Sequence, residues 1–144
     1  MEWPAHTFAS ALFPSLESSS EGNIPKFPIN EPAWQLFVEG NEDNLKHQIR
    51  MLESTKLELI DRSTLSDTIT FDESKGPVMI ELGAIIEPSA HFIGPCFVGK
   101  GAIIRHGAYI REYAWICSSA LVGHCTEVKH SVLWPKSKAQ HFNY

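Results

Sequence analysis

Arg111 and Lys129 stand 18 residues apart, and what such a pair can do depends on whether the fold stacks them. Two cations held one above the other repel unless an anion joins them. A phosphate group suits that role, because a guanidinium offers a bidentate fork and an ammonium a point charge; two ordinary solvated surface cations are the plainer alternative. His106 and His124 share the same offset. Imidazole nitrogens suit zinc, while a solvated or hydrogen-bonded histidine ladder is the plainer reading. His141 carries a ring whose ordinary pKa lets it accept a proton near neutrality. Cys96, Cys117 and Cys125 form no CxxC pair and are odd in number, which argues against a disulfide framework and a zinc ribbon. Reduced thiols and no metal site are expected.

The 18-residue offset acquires meaning from a repeat. From Ile86 the chain divides into sixes, with large residues at Ile86, Phe92, Val98, Ile104, Ile110, Ile116, Val122, Val128, Trp134 and then Gln140. Two positions before them stand the mostly small residues Ala84, Ala90, Cys96, Ala102, Ala108, Ala114, Ala120, Thr126 and Val132. Hexapeptide periodicity is a signature of the parallel β-helix. Each hexapeptide supplies one short strand and one turn, three of them close a triangular coil, and coils stack at the strand spacing of about 4.8 Å. The large residue fills the interior and the small one fits where the turn pinches inward. About three and a half coils are expected, held by nearest-neighbour packing.

In this frame residues 18 apart share an outer column. Phe97, Trp115 and Leu133 form one; Ile103, Leu121 and Ala139 a second; His91, Tyr109 and Glu127 a third. Two columns are apolar, and apolar patches of that extent mark contacts. One side is expected to pack on the N-terminal segment, the other on neighbouring subunits.

Residues 1–75 follow a different grammar and are expected to cap the repeat of residues 76–144. Pro4, Pro14, Pro25 and Pro28 break up the first thirty positions into an irregular arm. A short helix is expected in PAWQLFVE. A second, in NEDNLKHQIRMLES, carries Leu45, Ile49 and Leu52 at helical spacing behind an acidic start. Residues 57–60 and 68–71 are candidate strands. The helices are expected to cover the open N-terminal end of the repeat.

The N-terminal 75 residues hold six Lys and Arg against thirteen Asp and Glu, a charge of -7; the remainder hold six against four, +2, with five of the seven histidines. That small excess is too weak for nucleic acid and suits an anionic small molecule. No apolar window long enough for a membrane span and no signal-like start is present, so a cytoplasmic protein is expected.

The repeat resembles the left-handed β-helix acyltransferases, and most closely the acetyltransferase domain of bifunctional glucosamine-1-phosphate acetyltransferase and N-acetylglucosamine-1-phosphate uridyltransferase. The specific part is VGHCTEVKHSVLWPKSKAQHFNY, residues 122–144. The resemblance implies an all-β left-handed parallel β-helix, a homotrimer, acetyl-CoA as acyl donor and a phosphorylated or nucleotide-linked amino sugar as acceptor. It implies that His141 is the catalytic base, that Tyr144 contacts substrate, and that Arg111 and Lys129 hold the sugar phosphate. No Gly-rich nucleotidyltransferase motif occurs, so uridyl transfer is not expected. Further coils of that family, with most of the acetyl-CoA groove, fall after Tyr144, and the repeat therefore reads as truncated there. A non-catalytic trimerising or regulatory module is the alternative from another class. Trimeric β-helix carbonic anhydrases, which bind zinc through three shared histidines, are similar only in the repeat and the histidine ladder.

Overall fold

The computed structural model describes residues 22–26 and 32–140. Among the described residues, twelve short strands wind into a parallel β-solenoid of four coils: β1 (Thr70–Asp72), β2 (Val78–Ile80), β3 (Ile85–Ile86), β4 (His91–Ile93), β5 (Cys96–Val98), β6 (Ile103–Ile104), β7 (Tyr109–Ile110), β8 (Trp115–Ile116), β9 (Leu121–Val122), β10 (Glu127–Val128), β11 (Val132–Leu133) and β12 (Lys138–Ala139). They form three four-stranded parallel sheets, β1-β4-β7-β10, β2-β5-β8-β11 and β3-β6-β9-β12. The solenoid begins at Thr70, earlier than the hexads reveal, because β1 pairs with β4 at an offset of 21, Thr70 with His91. The surplus residues form the turn after Asp72, whose carboxylate accepts from Ser74 N at 3.0 Å.

The interior follows the two coupled columns. Phe92, Val98, Ile104, Ile110, Ile116 and Val122 are buried, and Ala90, Ala102, Ala108, Ala114 and Ala120 lie in the same core. A left-handed residue closes most turns, at Gly101, Gly107, Tyr113, Ser119, Cys125, His130 and Lys136. Their spacing is six except between Cys125 and His130, where it is five.

That missing residue corrects the register of the last coil. β8 pairs with β11 through Trp115 and Val132, and β9 with β12 through Leu121 and Lys138, both offsets of 17. The inward positions are therefore Leu133 and Ala139, not Trp134 and Gln140. Ser131 and Ser137 take the small positions, their carbonyls accepting from Trp115 N and Leu121 N at 2.8 Å each. The outer columns end at Val132 and Lys138 rather than at Leu133 and Ala139.

The second expected helix forms as α1 (Leu45–Leu52). Its start is fixed by Asn44, whose side chain accepts from His47 N at 2.8 Å. Glu42 and Asp43 thus precede the cap, and the helix's first turn is not acidic. PAWQLFVE yields only a 3-10 helix, Ala33–Phe37.

α1 lies against a side of the solenoid, not over its end. Leu45, Ile49 and Leu52 pack on Met79, Phe97 and Trp115, the outward residues of β2, β5 and β8. The N-terminal edge is met instead by the segment before β1. Ile60 N donates to Ile80 O and Leu82 N to Glu58 O, each at 2.8 Å, Leu59 bridges Glu81, and Ile60 and Leu65 close on the core. Residues 57–60 supply a bridge here rather than a strand.

Candidate anion site across adjacent coils

The β7-β10 pairing aligns Tyr109 with Glu127 and Ile110 with Val128, so Arg111 and Lys129, the next residues along, leave the sheet one above the other. Arg111 N donates to Val128 O at 2.8 Å. The two cations converge on one carboxylate oxygen: Oε2 of Glu112 lies 3.7 Å from Arg111 Nη2 and 3.9 Å from Lys129 Nζ. Arg111 Nη1 also donates to Glu127 Oε1 at 2.7 Å, the main cause that raises the guanidinium pKa further. Its plane rests 5.6 Å from the Tyr109 ring centre. Arg111 Nε is buried with no hydrogen-bond partner among the described residues.

Glu112 is only 12% exposed in its side chain while Lys129 is 53% exposed. The backbone around Glu112 is fixed from behind. His130 N donates to Glu112 O at 2.9 Å, and Tyr113 N to Pro95 O at 2.6 Å. Tyr113, at φ 62°, accepts from Arg50 Nη2 of α1 at 3.1 Å, and Lys46 stands 5.3 Å from its ring centre. His130 packs edge-on to Tyr113 and to Phe37. Burial, with Lys46 and Lys129 nearby, pushes the His130 pKa down, so the ring is neutral near neutrality.

Sequence reasoning singled out the cations but missed Glu112, Tyr113 and His130. A signal was available in the turns. Lys100-Gly101, His106-Gly107, Ser118-Ser119 and His124-Cys125 each carry a small second residue, and Glu112-Tyr113 does not. His141 and Tyr144 lie outside the described residues. Lys129 also borders, with Thr126, Ser131, Leu133 and Lys138, a recess of about 610 Å³ at the last coil.

The His106 and His124 rings stack in parallel, 5.0 Å apart. The Glu87 carboxylate below them accepts from Arg105 Nε at 2.9 Å and His106 N at 3.0 Å. Among the described residues no group of three or more His, Cys, Asp or Glu side chains is placed to hold a metal ion. All three cysteines are free, with Cys96 and Cys117 buried. Burial pushes both thiols up, Cys117 to about 12, which removes them as nucleophiles near neutrality. No helix among the described residues is long and apolar enough to cross a membrane.

Compared with protein-family profiles, with curated proteins and with solved structures, the chain finds no match.

Proposed function

We propose that this solenoid binds the phosphate of a phosphorylated or nucleotide-linked amino sugar and belongs to a cytoplasmic acetyltransferase. One observation carries the reading: Arg111 and Lys129, from adjacent coils, converge on a single anionic oxygen, Glu112 Oε2, at 3.7 and 3.9 Å. A phosphate oxygen in that place would meet a guanidinium fork on one side and an ammonium on the other. The resemblance of residues 122–144 to the sugar-phosphate acetyltransferases supplies the rest of the reading, with His141 as the base and Tyr144 orienting the sugar. Acetyl-CoA is the donor this reading requires. Among the described residues, Arg111 and Lys129 are the groups that support the sugar-phosphate part of this reading.

The experiment is acetyl transfer to glucosamine 1-phosphate, followed by thiol release, for wild type and His141→Ala. Activity in the wild type that the substitution abolishes supports the reading. Silence in both, with both folded, defeats it.

A non-catalytic oligomerising module, trimeric in the related scaffold, is favoured by a separate observation. On the outer column of β3, β6 and β9, Ile85 is 54% exposed, and it aligns with Ile103 and Leu121. Sedimentation of wild type and Ile103→Glu distinguishes a trimer built on this face, which the substitution would dissociate, from a monomer that it leaves unchanged.

A further inference from the structure

The anion that joins Arg111 and Lys129 is part of the chain, and its geometry is that of a loose counter-ion. Glu112 Oε2 stands 3.7 and 3.9 Å from the two cationic nitrogens, beyond the 2.7–2.9 Å of a charge-assisted hydrogen bond. Arg111 makes its short bond elsewhere, to Glu127 at 2.7 Å. The backbone of Glu112 is clamped through its carbonyl by His130 N, and the next residue by Pro95 O, so the carboxylate can swing only by its own side-chain torsions. Meanwhile Arg111 Nε has no hydrogen-bond partner among the described residues, a donor that the two glutamates leave unused.

We infer that Glu112 acts as an internal plug that sets which anions the Arg111–Lys129 pair accepts; the inference rests on the sugar-phosphate reading above. A singly charged ligand brings no more charge than Glu112 already delivers at no cost in association entropy. A phosphate monoester brings two charges and three oxygens, enough to take both cations at hydrogen-bond distance. Glu112 thereby weakens all anion binding in absolute terms and sets a threshold that a dianion passes and a monoanion does not. It is a specificity residue that acts through Arg111 and Lys129, and its removal has a sign that a merely structural carboxylate would not give.

The test is calorimetric titration of glucosamine 1-phosphate, and of the methyl ester of the same phosphate with one charge fewer, into wild type and Glu112→Gln. The amide keeps the shape and removes the charge. Both probes are expected to bind the variant more tightly, by about tenfold or more for a charge removed from beside the site, the dianion by at least as large a factor as the monoanion, and the monoanion is expected to saturate the variant at concentrations that leave the wild type unbound. Unchanged or weakened binding in Glu112→Gln overturns the plug while leaving the sugar-phosphate reading standing. Absence of saturation in both proteins overturns both. Should Glu112→Gln fail to fold, Glu112→Asp withdraws the carboxylate by one methylene. It is then expected to tighten binding in the same direction by a smaller factor, and no change refutes the inference.

Discussion

Replacing Trp115 with alanine separates the two hydrophobic clusters of this protein. Trp115 is 3% exposed and faces outward from β8, under α1, with Phe97 at 5.4 Å between ring centres. Its indole nitrogen donates to Asn23 O at 3.0 Å, so the same side chain holds α1 and a segment near the N-terminus. Truncating a buried tryptophan costs about 3–5 kcal/mol, and the lost hydrogen bond adds about 1 kcal/mol. The cost falls on the cluster of Leu45, Ile49, Leu52, Met79 and Phe97, because the interior of the coils is a separate core of Phe92, Ile104, Ile110 and their neighbours. At about 1.4 kcal/mol per factor of ten, a loss of about 4 kcal/mol in local opening energy accelerates amide exchange in α1 by about a thousandfold. Hydrogen exchange resolved by residue is the assay. The amides of Leu52 and its helical neighbours should lose protection while those of Ile104 and Ile110, paired within their sheets, keep theirs. Uniform loss across helix and solenoid, or undiminished protection in α1, would refute the claim that the helix is an addition to the side of the coil.

Two further predictions concern the last coil and the histidine beside the site. Leu133 packs against the interior core whereas Trp134 has left the inward column, so Leu133→Asp should lower the thermal midpoint more than Trp134→Asp; the reverse order would restore the uninterrupted hexad register. His130 has its pKa held below the ordinary 6.5 by burial first and by Lys46 and Lys129 second. Its unfolded form therefore binds protons that the folded form refuses, stability is highest above about pH 6.5, and it falls as pH drops from there toward the depressed folded value. Urea midpoints measured across that interval should fall less steeply in His130→Gln, and identical slopes in the two proteins would remove His130 from the account.

Much of the scaffold was legible because its period is shared by two coupled columns. From Ala84 to Val128 the large and small residues alternate as the coil demands, and the structure follows them. The register was lost after Val128 for a physical reason: Val132, Leu133 and Trp134 are all apolar, so either frame supplies a side chain for the interior. What distinguishes the frames is the left-handed backbone at His130, five residues after Cys125. His130 is not a residue that advertises such a conformation, as the glycines at 101 and 107 do. The helix spacing of Leu45, Ile49 and Leu52 predicted an apolar face but could not say whether an end or a side of the coil would receive it. At the site, the 18-residue offset correctly stacked Arg111 on Lys129. Glu112 escaped notice because it lies in the turn between β7 and β8, where neither coupled column tells which way a side chain faces.

In the proposed function Arg111 and Lys129 act together as one anion site built from adjacent coils. It is tested most directly by titrating glucosamine 1-phosphate into wild type, Arg111→Ala, Lys129→Ala and the double variant at fixed ionic strength. Saturable binding is expected in the wild type, weakened by each single change, with a double loss smaller than the sum of the two because both side chains hold the same group. Equal affinity in all four proteins, or two losses that simply add, would contradict it.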